Sequence, residues 1–150
     1  MTSLKILNNK EKKKIIELMK NYYGTSEIKL DYVFMKNKDD KVYLLSKDFS
    51  KIDTENIRIN SIGMYFAKLY PNGIRLSIEG SQLIGPLAKK NILEVNNDEV
   101  KNWVKGYDIL TDERFNGYVI IKNNNDYFGS GFYREGKIEN MIPKDRRIKK

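Results

Sequence analysis

The chain has no cysteine and no histidine among its 150 residues. Without cysteine it can form no disulfide, thiolate nucleophile, iron–sulfur cluster or cysteine-ligated zinc site. Without histidine it lacks the commonest general base, the histidine-dependent triads and most zinc or iron sites. The missing thiols suit a reducing compartment, so we expect a cytoplasmic protein.

Long apolar stretches are missing as well. No run approaches the roughly 18 consecutive apolar residues of a membrane-spanning helix. The N-terminal sequence MTSLKILNNKEKKK reaches a lysine cluster after a short apolar stretch, without the features of a signal peptide. We therefore expect neither secretion nor insertion into a membrane.

The remaining polar side chains offer little catalytic chemistry. The adjacent acids Asp39/Asp40 and Asp112/Glu113 fall in predicted turns, where neighbouring side chains splay apart. Gly129-Ser130-Gly131 imitates part of a phosphate-binding loop, but the third glycine and the following helix are missing. Glycines inside a strand more often mark a bulge or a close backbone approach. The sequence predicts no catalytic site, no metal site and no cofactor, and hence no enzyme.

Positive charge is concentrated at the two ends of the chain. The sequence has 28 Lys+Arg against 20 Asp+Glu, a net charge of +8. Residues 1–20 and 134–150 contribute +4 each, whereas the middle has fifteen residues of each sign. Such ends are typical either of a solubilising surface or of a nucleic-acid interface.

The first basic end belongs to a predicted amphipathic helix. Asn8 and Glu11 have the spacing of a capping box, and Gly24 supplies a stop. Lysines 10, 12, 13, 14 and 20 fall on the polar side of this helix. Solvation is the ordinary interpretation of such a face, and RNA contact is the second.

Two hairpins and a short helix are predicted next. Residues 30–36 and 41–46 are rich in β-branched and aromatic residues and flank a turn, and residues 61–70 and 73–78 form a similar pair. The Asn72-Gly73 pair favours the positive φ angles of a tight hairpin turn. Ser81 is placed to cap a short helix over 81–90.

The last part of the chain predicts a small, partly open β-barrel around one helix. A strand over 92–95 precedes a helix over 98–106 that ends at Gly106 and turns Trp103 towards the core. Further strands are predicted over 117–122, 126–133 and 137–142.

Two C-terminal segments resemble known RNA-binding domains. VKNWVKGYDI, residues 100–109, resembles the helix-to-loop element of PUA domains, in which a helix ends in a Gly-x-Asp-aliphatic turn. YFGSGFYREGKIENMIPKDRR, residues 127–147, resembles the end of the PUA-like domain of Sun-family RNA 5-methylcytosine methyltransferases. Asp145 stands where that pattern tends to have glycine.

An upstream resemblance extends the comparison to about residue 40. Segments 40–49, 61–70 and 74–95 are similar to the pre-PUA half of the two-domain Nip-type ribosome biogenesis factors of eukaryotes and archaea. The resemblance implies an α+β protein with an archaeal-like architecture. Its N-terminal α/β pre-PUA domain would span residues 1–90, and its small PUA-like β-barrel residues 91–150.

The function implied is non-catalytic binding of structured RNA, either rRNA or tRNA, in ribosome biogenesis, rRNA processing or RNA modification. The partners implied are that RNA and an RNA-modifying enzyme or ribosome assembly factor. Methyl transfer is not implied, since the cytosine methyltransferases use a cysteine nucleophile and a cofactor-binding domain. The alternative is a protein-interaction module or a detached targeting subunit of an RNA methyltransferase.

RNA binding needs cations that replace condensed counterions and planar groups or backbone donors that position the chain. We expect phosphate contacts from five residues near the C-terminus: Arg134, Lys137, Lys144, Arg146 and Arg147. A second wall would consist of Lys105, Gly106, Tyr107 and Asp108. Asn140 completes the predicted site, where we expect it to shape the last turn together with Pro143.

Tyr107 and Asp108 of this wall each have a structural interpretation beside the functional one. Glycine at position 106 allows close approach, and Tyr107 either stacks on a base or packs in the barrel. Asp108 either accepts a hydrogen bond from RNA or stabilises its own turn.

Overall fold

The protein consists of two five-stranded β-sheets and three α-helices in the part of the chain that the computed structural model describes, residues 4–47 and 63–149. The first sheet is antiparallel, with its strands in sequence order. Its strands are β1 (Lys5–Ile6), β2 (Tyr32–Lys36), β3 (Lys41–Ser46), β4 (Met64–Tyr70) and β5 (Gly73–Leu76).

Helix α1 (Asn9–Tyr23) covers this sheet. The predicted capping box is present: the Glu11 amide donates to Asn8 Oδ1 at 2.8 Å, and the Asn8 amide donates to Glu11 Oε1 at 3.1 Å. Gly24 ends the helix in the left-handed conformation, with φ at 62°. The buried side of α1 carries Ile15, Met19 and Tyr23.

The β4–β5 hairpin is confirmed, but its predicted turn conformation is wrong. Tyr70 pairs with Gly73, so Pro71 and Asn72 are the turn residues, and neither Asn72 nor Gly73 has a positive φ. Proline at the first turn position fixes φ near −65°, which suits an ordinary turn. Gly73 is needed for a different reason: a Cβ there would lie 2.8 Å from the Tyr22 ring. The first two residues of the predicted strand 61–70 lie outside the described residues.

The short helix after β5 begins earlier than predicted. Helix α2 (Ile78–Ile84) starts after Ser77, whose hydroxyl accepts from the Gly80 amide at 2.9 Å. Ser81 is buried inside the helix instead of capping it, and its hydroxyl accepts from the Gly129 amide at 2.9 Å. Serine at position 81 thus joins the two parts of the chain. A 3₁₀ turn, Gly85–Leu87, follows.

The second sheet curls into a half-barrel. Its strand order is β6-β8-β9-β10-β7, in which β6 and β8 are parallel and the other pairs antiparallel. The strands are β6 (Ile92–Glu94), β7 (Ile109–Leu110), β8 (Tyr118–Asn123), β9 (Asp126–Arg134) and β10 (Lys137–Asn140). Helix α3 (Asn97–Val104) lies between β6 and β7 in the chain, and its Trp103 is fully buried, as predicted. The mixed helix-and-strand fold is confirmed.

Two clusters of buried apolar side chains meet at the junction of the sheets. The first cluster belongs to α1 and the first sheet but also includes Ile120 and Tyr127 of the second sheet. The second contains Trp103 and Ile138. The division at residue 90 and the pre-PUA character of the first part stay predictions. Within the described residues, no helix combines the length and apolar composition needed to span a membrane.

Candidate nucleic-acid interface

The predicted Gly-x-Asp turn lies at the C-terminal end of α3. Lys105 is the C-cap residue and is exposed, and the Gly106 amide donates to the Trp103 carbonyl at 2.9 Å. Gly106 has φ at 106°, a conformation that L side chains rarely adopt. The glycine therefore allows the chain to leave the helix and turn into β7.

Asn140 holds this turn against the end of β10. Its Nδ2 donates to the Trp103 carbonyl at 2.7 Å and to the Tyr107 carbonyl at 3.0 Å. Its Oδ1 accepts from the Ile142 amide at 2.9 Å. Its own amide donates to Asp108 Oδ1 at 2.8 Å. One side chain thus satisfies backbone groups at the helix end and in the last loop.

Asp108 has a partner outside its own turn. Besides accepting from Asn140, it forms an ion pair with Lys137, with 3.7 Å between Oδ2 and Nζ. Both side chains are 41% exposed. The carboxylate therefore joins the turn to β10 and remains accessible to solvent.

One of the predicted arginines, Arg147, lies against the glycine turn, and a second, Arg134, lies on the neighbouring strand β9. The Arg147 side chain covers Gly106, where a Cβ would approach its Cδ to 2.7 Å, and its Nε donates to the Ile142 carbonyl at 3.0 Å. Arg134 stands opposite Lys137 in the β9–β10 pair. Its Nε lies 3.3 Å from Glu139 Oε1, and its guanidinium carbon lies 5.5 Å from the centre of the Phe132 ring.

The remaining two cations belong to the closing 3₁₀ turn, Lys144–Arg146, which follows Pro143. Lys144 is exposed. Arg146 is directed to the first part of the chain, with 2.9 Å between one terminal nitrogen and Glu79 Oε1 on α2. Arg146 is thus paired with an acid of α2 and not with the glycine turn.

Exposure distinguishes the two aromatic residues of this region. Trp103 is buried, and its Nε1 donates to the Phe128 carbonyl at 2.8 Å. Tyr107 is 63% exposed, which argues against the barrel-packing interpretation. Leu110, and Ile148, whose amide donates to the Val104 carbonyl of α3, are also exposed, at 78% and 55%.

The glycines of the partial phosphate-loop motif serve packing. Gly131 lies directly beneath Trp103 and Ile138 and has no room for a side chain. Gly129 has φ at 79° and lies against Ile78 of α2. Close backbone approach, the interpretation favoured by the sequence, is confirmed.

Sequence reasoning missed a cleft of about 790 Å³ at the junction of the two sheets. Tyr22 of α1 anchors it: its hydroxyl donates to the Asn116 carbonyl at 2.9 Å and accepts from the Tyr118 amide. Partial burial raises the pKa of the Tyr22 and Tyr118 hydroxyls. Because these residues are almost a hundred positions apart, no local pattern brings them together.

Comparison with known proteins supports the resemblance. Residues 90–148 match the family model of the methyltransferase RsmF PUA domain. The chain is 23% identical over 143 residues to ribosomal RNA small subunit methyltransferase F of Vibrio parahaemolyticus, covering 89% of the chain and 29% of that protein. It is 24% identical over 140 residues to the protein of that name from Aliivibrio salmonicida, covering 93% and 29%.

The chain matches only part of each of these relatives. The Vibrio vulnificus methyltransferase F matches over 89 residues, which is 59% of this chain and 19% of the relative. The chain thus spans less than a third of the length of the relatives it matches, and the family model that matches is a PUA domain and not a catalytic domain. The relatives named are bacterial, which gives no support to an archaeal-like character. The predicted resemblance to PUA-domain proteins and to the PUA-like domain of Sun-family RNA methyltransferases is confirmed.

Proposed function

We propose that this chain is a non-catalytic RNA-binding protein that acts on rRNA or tRNA in ribosome biogenesis or RNA modification. One observation carries the proposal. The glycine turn after α3, the end of β10 and the C-terminal segment are linked by direct contacts into one surface that bears cations and an exposed tyrosine.

The phosphate contacts come from the cations of this surface. Arginine has five N–H donors, and Arg147 uses one of them on Ile142, so further donors remain for a phosphate. Lys144, in the 3₁₀ turn that precedes Arg147, is exposed. Gly106 has no side chain to keep the RNA backbone away from Arg147.

The acids of this region do not prevent binding. Lys137, Arg134 and Arg146 are paired with Asp108, Glu139 and Glu79, respectively. Such partly exposed pairs contribute only about 0–1 kcal/mol each. A phosphate therefore replaces the carboxylate at small cost, and the released counterions favour the complex.

The base contacts come from the turn itself. Tyr107 is exposed enough to stack on an unpaired base. Asp108, held by the Asn140 amide, presents a fixed acceptor to a base edge or a ribose hydroxyl. Lys105 flanks the same turn and adds a cation at the end of α3.

The enzyme that this chain would assist is a methyltransferase. The relatives are methyltransferases that act on small-subunit rRNA by name, and the present sequence has no cysteine to serve as a nucleophile. A targeting module that delivers rRNA to such an enzyme fits both facts.

Filter binding to total rRNA and tRNA across a salt series tests the proposal. We expect saturable binding whose logarithm falls linearly with the logarithm of salt concentration. Arg147→Ala and Arg146→Ala should each lower that slope by about 0.7 to 0.9 and weaken binding. Lys38→Ala, in the exposed β2–β3 turn, is the control and should leave the slope unchanged. Absence of saturable binding, or arginine variants that equal the control, would show that this surface does not bind RNA.

A second candidate function is recognition of a protein. Tyr107, Leu110 and Ile148 are all exposed, and tyrosine is among the residues that are enriched at protein interfaces. Leu110→Ser removes the apolar side chain without adding a charge opposite Lys137, so it should abolish binding of a protein partner while leaving the salt slope for RNA as it was. Loss of RNA binding with Leu110→Ser would instead assign this apolar side chain to the RNA site.

A further inference from the structure

The junction cleft is lined mainly by aromatic side chains from both parts of the chain. α1 and the β4–β5 hairpin form one side, and β8, β9 and the loop before β8 form the other. Its lining includes Tyr22, Tyr70, Phe115, Tyr118, Phe132 and Tyr133. Glu135 is the single acid among the described lining residues.

The rings form two ordered groups. Tyr70 stacks on Tyr118 with 4.9 Å between ring centres, and Phe132 meets Tyr118 edge to face at 5.2 Å. Phe115 and Tyr133 form a second edge-to-face pair at 6.0 Å. The first group crosses the junction, since Tyr70 ends β4 and Tyr118 begins β8.

Cations lie close to two rings of the first group. The Arg134 guanidinium carbon is 5.5 Å from the centre of the Phe132 ring. Lys68 Nζ and the Arg75 guanidinium carbon lie 5.4 Å and 6.0 Å from the centre of the Tyr70 ring. Aromatic surface is therefore bordered by positive charge at both ends.

This chemistry matches a nucleotide of a single strand. Bases stack on aromatic rings and on the guanidinium plane of arginine, and lysine or arginine neutralises the adjoining phosphates. The cleft is also preformed, because the Tyr22 hydroxyl joins α1 to the start of β8 and Gly117 and Gly73 let its ring pack closely.

We propose that the junction cleft binds an unpaired base of the RNA, with Arg134 and the Lys68/Arg75 pair on its flanking phosphates. The inference rests on the proposed function and extends it. Arg134 lies opposite Lys137 in β9 and β10, and Lys137 pairs with Asp108. One RNA therefore reaches both sites: a hairpin binds at the glycine turn, with an unpaired loop base on Tyr107, and a single-stranded extension of that hairpin binds in the cleft.

The test compares the binding of two RNAs to the full chain. One is an rRNA hairpin that binds in the filter assay, and the other is that hairpin with a short single-stranded extension containing 2-aminopurine. The extension should increase affinity, and stacking should quench its fluorescence. Phe132→Leu and Tyr70→Leu should each weaken binding of the extended hairpin by about 5- to 150-fold, and at most by the whole affinity that the extension adds. Neither variant should change the affinity for the hairpin without the extension.

Tyr43→Leu is the matched control. Tyr43 is a half-buried strand aromatic paired with Tyr65, outside the cleft, and its loss should leave the gain from the extension unchanged. Phe132→Tyr keeps a ring and should restore both the gain and the quenching. The fluorescence of the buried Trp103 reports whether each variant is folded.

The experiment distinguishes failure of the cleft proposal from failure of the proposed function. If the wild-type chain binds the hairpin but the extension adds neither affinity nor quenching, the cleft proposal is wrong and the proposed function stands. The cleft proposal is also wrong if Tyr43→Leu reduces the gain as much as the two cleft variants do. If the chain binds neither RNA, both proposals are overturned.

Discussion

Asn140→Ala should destabilise the protein and weaken RNA binding together. The side chain makes three hydrogen bonds, two from Nδ2 to the Trp103 and Tyr107 carbonyls and one to Oδ1 from the Ile142 amide. A net contribution of about 0.5–1.5 kcal/mol for each bond gives about 1.5–4.5 kcal/mol in total. Because Asn140 is only half-buried and water can reach part of the site, we expect about 2 kcal/mol.

Urea unfolding followed by the fluorescence of the single tryptophan measures this loss. Trp103 is fully buried and is itself bonded to Phe128, so its signal reports the second sheet directly. With a denaturant slope of about 2 kcal/mol per molar, the midpoint should fall by about 1 M. Asn140→Asp keeps the acceptor and removes both donors, so it should be at least as unstable.

Asn125→Ala supplies the control. Asn125 is exposed in the β8–β9 turn, and no side-chain hydrogen bond of this residue is seen in the described part of the chain. A loss of less than about 0.5 kcal/mol for Asn140→Ala, within the range of ordinary surface substitutions, would refute the role assigned to Asn140. If the Asn140→Ala variant is folded and binds RNA with wild-type affinity, the glycine turn is not part of the RNA-binding site.

Three further predictions concern the turn, the junction and a helix cap. Gly106→Ala should lower the free energy of unfolding in urea by about 1–3 kcal/mol, because alanine is strained at this φ. It should also weaken RNA binding, because its Cβ would displace Arg147. Unchanged stability would contradict this prediction. Tyr22→Phe removes both bonds of the hydroxyl and should cost about 1–3 kcal/mol. Burial raises the pKa of Tyr22, so the stability that its hydroxyl contributes is complete below the ordinary tyrosine pKa and is lost as pH rises through the raised pKa of the folded state. When urea unfolding is repeated at increasing pH, the free energy of unfolding should therefore decline less in Tyr22→Phe than in the wild type. Asn96→Ala should cost about 1 kcal/mol in thermal or urea unfolding by removing the capping box of α3, and an equal loss from Asn125→Ala would argue against it.

Local elements could be predicted because their signals lie within a few residues. The capping box of α1 joins residues three apart. The hairpins follow from strand-forming runs and short turns, and the end of α3 follows from Gly106. The helix at α2 was misplaced because Ser77 and Ser81 are both acceptable caps, and only packing on β9 decides between them.

The sequence by itself determined the capping box of α1, the hairpins, the missing thiol and imidazole chemistry and the basic ends. Tertiary structure decided which of those basic residues share a surface. Pairing of β10 with β7 brings Lys137 to Asp108, Asn140 reaches carbonyls more than thirty residues away, and Arg146 turns to Glu79. The aromatic cleft likewise needs Tyr22, Tyr70 and Tyr118 from three distant segments. Hydrogen bonds and charges near in sequence follow from backbone geometry, whereas contacts between distant segments depend on strand order and helix packing, which no short window of sequence contains.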